Sequence, residues 1–219
     1  MTLLDFARGP ALQAALIIFV LGAVWRIVGA LTAPWRLVPA NPREGALSPA
    51  VAALKGVFVK MWPHKPFQQA GLFTFVNGYV FHFGLAIVVL LFTPHILFIK
   101  GLTGLNWPGL PSNLIYMVAV ITGASLIAGL VHRLRSPVLQ LISRNDDYLS
   151  WLLTFLPVVT GLLATSHLGA RYETLLALHI LSICAFLIWF PFGKLMHAFL
   201  FVFSRGMTGV RMGQRGAEL

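Results

Sequence analysis

AGLFTFVNGYVFHFGLAIVVLLFTPHILFI, the run from Ala70 to Ile99, contains no Asp, Glu, Lys or Arg. The hydrocarbon core of a bilayer is about 30 Å thick, and about 20 consecutive apolar residues cross it as a helix. The helix is required because lipid offers no water to satisfy backbone amides. The run therefore reads as a membrane span. Four more stretches of the same kind lie at about residues 11–31, 114–131, 149–166 and 174–203, the last staying apolar to Phe192 and continuing past Lys194. The first is interrupted by Gln13 and by Arg26, which is near enough to one end to snorkel to the interface. No small-residue cleavage site of the usual kind follows it, so it reads as a retained helix. The whole composition agrees: 58% of the 219 residues are hydrophobic and 10% charged, more apolar surface than a water-soluble domain could hide. The expectation is a single all-α membrane domain over residues 1–219 with five transmembrane helices.

Lys and Arg collect on the cytoplasmic side of membrane proteins. Arg36, Arg43, Lys55, Lys60 and Lys65 lie between the first two spans, against Glu44. Arg133, Arg135 and Arg144 lie between the third and fourth, and Arg205, Arg211 and Arg215 in the tail. With an odd number of spans all three groups share one face. The other face has Asp5 with Arg8, Lys100, and Arg171 with Glu173, which nearly cancel. The N-terminus is expected outside and the C-terminus in the cytoplasm, in the cell's inner (cytoplasmic) membrane. This bias explains the net charge of +10 without a nucleic-acid partner. Ser48-Pro49 reads as a helix start. Val51, Leu54, Phe58 and Met61 then recur at helical spacing, with Lys55 and Lys60 off the stripe. A short amphipathic helix over about 49–61, ended by Trp62-Pro63, is expected to lie on the interface, held by lipid in preference to a partner subunit.

Polar side chains inside a membrane are costly, so each is a functional candidate. His64 and His132 fall in basic segments and His167 in an outer turn, where a solvated role suffices. The other four lie in spans: His82 and His95 in the second, His179 and His197 in the fifth. The two spans run in opposite directions, so His82 lies level with His197 near the inner side and His95 with His179 near the outer side. Two imidazoles facing across a bundle are what a b-type haem iron takes as axial ligands. Thirteen residues separate the first two and eighteen the second two, about 20 and 27 Å of helix, leaving room for two stacked haems. Eighteen residues are five turns, which puts His179 and His197 on one face. Thirteen leave a rotation of about 140°, so His82 and His95 share a face only if Pro94 distorts the helix. The lone Cys184 allows no disulfide, iron–sulfur ligand set or covalent haem. No phosphate-binding glycine motif or hydrolytic triad is present, and the glycines of the second and third spans read as close-packing positions. The alternative is a haem-free transporter or assembly subunit whose histidines pack helices or relay protons.

FHFG at Phe81–Gly84, HILSICAFLIWFPFGKLMH at His179–His197, RLRSP before the fourth span and the basic tail resemble the gamma subunit of respiratory nitrate reductase. They are also similar to the cytochrome b subunits of sulfite-reductase-associated and heterodisulfide-reductase-like membrane complexes. The resemblance covers spans two to five. It implies a five-helix anchor with two b haems that exchanges electrons between quinone, its substrate, and an iron–sulfur or other catalytic subunit on the cytoplasmic side. Such a subunit performs only the quinone half of a reaction. By the same resemblance His82 and His197 ligate the inner haem, and His179 supplies one ligand of the outer haem. The family's other outer ligand usually lies ten residues after the first histidine of span two, where this chain has Phe92. Either His95 substitutes, or the outer haem is missing or altered. The long basic segment after span one also departs from nitrate reductase.

Overall fold

The structure is a computed structural model and describes residues 1–33, 41–59, 61–63, 65 and 68–216. Arg36, Lys60 and His64 lie outside the described residues. Among those described, every regular element is helical. Five helices are long and apolar enough to cross a membrane: α1 (Leu3–Thr32), α3 (Gln68–Leu91), α5 (Ser112–Arg135), α7 (Asn145–Ser166) and α8 (Tyr172–Trp189). The other helices among the described residues are α2 (Pro49–Val59), α4 (Thr93–Thr103), α6 (Pro137–Ile142) and α9 (His197–Gln214). The chain is an all-α, multi-pass membrane bundle.

Its burial is inverted relative to a water-soluble domain. Large apolar side chains such as Ile17, Val24 and Phe83 face outward, Phe83 being 64% exposed, while the interior is rich in Ala, Gly, Ser and Thr. Lipid is as apolar as leucine, so the helices associate by close packing of small residues and by hydrogen bonds. α3 packs on α5, α5 on α7, α7 on α8, and α8 on α1. Gly84 of α3 sits directly on Thr122 of α5, where a Cβ would collide with the threonine hydroxyl. One turn and more away, Asn77 Nδ2 donates to the Ser125 carbonyl at 3.1 Å and Ser125 Oγ donates to Asn77 Oδ1 at 2.8 Å.

Two expected helices are broken. The span expected over 70–99 stops at Leu91, passes through extended Phe92 (φ −83°, ψ 122°) and restarts as α4 with Pro94 in its first turn. Proline has no N–H to give, and its ring would strike the carbonyl four residues earlier, that of Leu90. Carbonyls beside the break find side-chain and loop donors, as lipid requires. Leu90 accepts Trp107 Nε1 at 2.5 Å, Leu91 accepts the Leu110 amide at 2.9 Å, and Val88 faces His95 Nδ1 at 2.9 Å. The span expected over 174–203 likewise ends at Trp189. Buried Pro191 cannot continue it and fits against Gly22 of α1, where a Cβ would lie 2.6 Å from its ring. A single 3₁₀ turn at Lys194–Met196 then leads into α9.

α9 turns back to pack on α2. The two backbones touch: a Cβ on Gly56 would lie 2.5 Å from Gly209 Cα, and one on Gly209 would strike the Ala52 carbonyl. Ala52, Gly56 and Val57 form the inner face of α2, and Val51, Leu54 and Phe58 face away from the protein. The apolar stripe that marks this helix in the sequence is thus its outer face, and the helix ends at Val59 instead of continuing to 61.

Candidate cofactor site

Histidines from α3–α4 and from α8–α9 approach one another in two pairs. His82 on α3 and His197 at the start of α9 bring their ring centres to 6.0 Å, with the planes at 88°. His95 on α4 and His179 on α8 stand 6.2 Å apart with planes 19° from parallel. The pairs are the two that depth along the spans singles out. The helix breaks supply the rotation that a straight helix lacks. Restarting at Thr93 re-aims His95 relative to His82, and the turn at Pro191–Met196 means that the five-turn relation between His179 and His197 does not apply, since no continuous helix joins them.

Each imidazole is held through Nδ1. His82 Nδ1 faces the Gly78 carbonyl one turn earlier at 2.7 Å, His197 Nδ1 the Lys194 carbonyl at 2.8 Å, and His95 Nδ1 the Val88 carbonyl in the last turn of α3 at 2.9 Å. A carbonyl only accepts, so it places the proton on Nδ1 and leaves the Nε2 lone pair free. His179 Nδ1 lies 3.2 Å from Thr160 Oγ1 on α7. Metal-binding histidines are held in this way, the second nitrogen donating to a carbonyl or hydroxyl.

The spacing fits a metal bound by two imidazoles. If each ring of a pair gave a nitrogen to one metal with bonds of about 2.0 Å, the ring centres would stand about 6.2 Å apart. Among the described residues no three His, Cys, Asp or Glu side chains converge, so the donors come in twos. Two neutral nitrogens, one per face, suit a haem iron, whose other four ligands belong to the macrocycle. Gly161 on α7 clears the way for the His179 ring, since a Cβ there would lie 3.0 Å from Cε1. Phe81 packs on His82 with ring centres at 4.0 Å, and Phe92 stands edge-on to His95 at 5.2 Å. Phe92, at the position where the resembled family has a ligand, is thus a wall of the His95 ring.

An ionic cluster secures the end of the bundle near His197. Lys194 Nζ pairs with Asp147 Oδ2 at 2.6 Å, and Arg133 lies 3.7 Å from the same carboxylate. Trp189 Nε1 donates to Ser150 Oγ at 3.0 Å, which donates to Asp146 at 3.1 Å. The N-terminal turn of α7 therefore clamps the segment whose Lys194 carbonyl orients His197. The sequence marks Lys194 as a cation near the interface but does not reveal Asp147 as its partner. Thr160 and Ser182 were equally hidden, being ordinary residues until α7 and α8 are packed. His132 is half-buried against Phe73 at 4.6 Å instead of fully solvated, and exposed His167 stacks on Tyr172 at 5.1 Å. Cys184 is buried and unpaired on α8.

No family model matches the chain, and no solved structure matches it. A protein of Nitratidesulfovibrio vulgaris (strain Hildenborough), whose printed name is simply "Protein", is 30% identical over 213 residues, covering 94% of this chain and 91% of that one. At that identity and coverage, the chain belongs to the same family as this Nitratidesulfovibrio vulgaris protein.

Proposed function

We propose that the chain is the haem b membrane-anchor subunit of a respiratory-type oxidoreductase, exchanging electrons between the quinone pool and an iron–sulfur partner subunit at the cytoplasmic face of the inner membrane. The observation that carries this reading is the approach of two histidine pairs, one member on α3–α4 and the other on α8–α9, to 6.0 and 6.2 Å. A b-type haem held by an imidazole on each face supplies a reversible one-electron carrier. His82 and His197 would hold the inner haem, and His95 and His179 the outer one. The carbonyls of Gly78, Lys194 and Val88 keep three of these rings in the tautomer that presents Nε2. The quinone and partner halves of the reading come from the family resemblance. They agree with the meeting of Arg133 and Lys194 at one end of the bundle, where a soluble subunit would dock.

The test is optical. The purified protein should be red, show a sharp b-type alpha band after dithionite reduction, and carry two haems per chain. A colourless, folded preparation would overturn the proposal and leave the histidines as packing or proton-relay groups in a cofactor-free transporter or assembly subunit.

A further inference from the structure

Three of the four histidines rest Nδ1 on a backbone carbonyl, and His179 alone faces a side-chain hydroxyl, that of Thr160 at 3.2 Å. The hydroxyl is itself held in place. Thr160 Oγ1 donates to the Leu156 carbonyl at 2.7 Å and lies 2.9 Å from Ser182 Oγ, which donates to the His179 carbonyl at 2.7 Å. The next residue on α7, Gly161, is the one that lets the ring approach. Two successive positions of α7 thus shape the contact, one by its hydroxyl and one by having no side chain.

We propose that Thr160 is a positioning residue for the outer haem, accepting the Nδ1 proton of His179 and thereby lowering that haem's midpoint potential. The proposal rests on the bis-histidine reading above. With Nε2 committed to iron, Nδ1 must carry a proton and needs an acceptor. The order of protons then follows without a conflict. His179 Nδ1–H donates to Thr160 Oγ1, the Thr160 hydroxyl donates to Leu156, and the single Ser182 hydroxyl proton serves the His179 carbonyl and Thr160 Oγ1 between them. An imidazole whose N–H is engaged is the more basic ligand and favours ferric iron, so loss of the acceptor should raise the potential. The contact joins α7 to α8, so the tuning comes from a different helix than the ligand's own.

Thr160→Val removes the hydroxyl while keeping the shape, and Thr160→Ser keeps the hydroxyl. Both are compared with wild type by haem quantification and by redox titration followed optically, the outer haem being identified as the component lost in His179→Ala. The valine variant should retain two haems, with the outer midpoint raised and the inner one unmoved, and serine should restore the wild-type value. Two retained haems with both midpoints unchanged in Thr160→Val would overturn the proposal. That result would mean that Thr160 only packs, or that the Pro157 carbonyl, which also faces the ring, takes the proton instead. A wild type without haem, or with one that persists in His179→Ala, would instead overturn the bis-histidine reading and this proposal with it.

Discussion

The four histidines are equivalent in chemistry and differ in what surrounds them. The His82 and His197 rings are nearly perpendicular, while those of His95 and His179 are nearly parallel. If each pair holds a haem as proposed, the relative orientation of its two imidazoles would set how far the iron's d orbitals split, and the ferric protein should give two distinct low-spin electron paramagnetic resonance signals, the more anisotropic one from the His82–His197 pair. On the same proposal, removing either histidine of a pair would leave its iron with a single imidazole. His82→Ala and His197→Ala should therefore abolish the same component, and His95→Ala should take haem content from two to one with the inner signal intact. Unequal losses between His82→Ala and His197→Ala, or a His95→Ala protein that keeps two haems, would show that these residues are not paired as ligands.

At the scale of elements, the breaks and the tight crossing are what the fold depends on. Pro94 interrupts α3 and lets His95 turn toward His179. In Pro94→Ala the helix can run on, and a continuous helix would point His95 about 140° away from His82. Outer-haem occupancy should fall while the inner haem stays, as read by haem per chain. The crossing of α2 on α9 makes a second, independent test. Gly56 has no space for a side chain, whereas a Cβ on Gly206 would meet Ala53 Cβ at an ordinary 3.8 Å. Forcing a side chain into a close-packed site costs about 1–3 kcal/mol. Gly56→Leu should detach α2, lowering thermal stability and opening the segment to protease in lipid nanodiscs, and Gly206→Ala should be tolerated. Equal behaviour of the two variants would mean that this crossing does not hold α2 in place.

For the whole molecule, two basic groups from different helices meet at one end. Arg133 at the end of α5, Asp147 at the start of α7 and Lys194 after α8 meet in a single cluster, so those three termini lie on the same side. The loop through Gly104, between α4 and α5, is at the opposite end of α5 from Arg133. If the positive-inside rule orients the bundle, a reporter fused at the C-terminus should be active in the cytoplasm and one inserted at Gly104 should be exported. The opposite pattern would exchange the inner and outer assignments of the two histidine pairs.

The sequence by itself determined that lipid is the solvent, that five helices are long and apolar enough to span it, which segments carry positive charge and which histidines of the spans stand level with one another. Each of these depends on a local quantity, either transfer free energy summed along a stretch or the fixed rise of a helix. The positions of the breaks were half legible. Pro94 was a visible hazard to a straight helix, while Pro191 lay in a run whose hydropathy never falters. Only the tertiary structure decided which way the histidines face, that Thr160 meets His179, that Asp147 meets Lys194, and that Gly56 meets Gly209. These contacts join residues far apart in the chain, and a residue's own hydropathy or propensity carries no record of its distant neighbour. Azimuth in a membrane bundle is set by where small side chains let two backbones approach, and that is a property of the pair of helices.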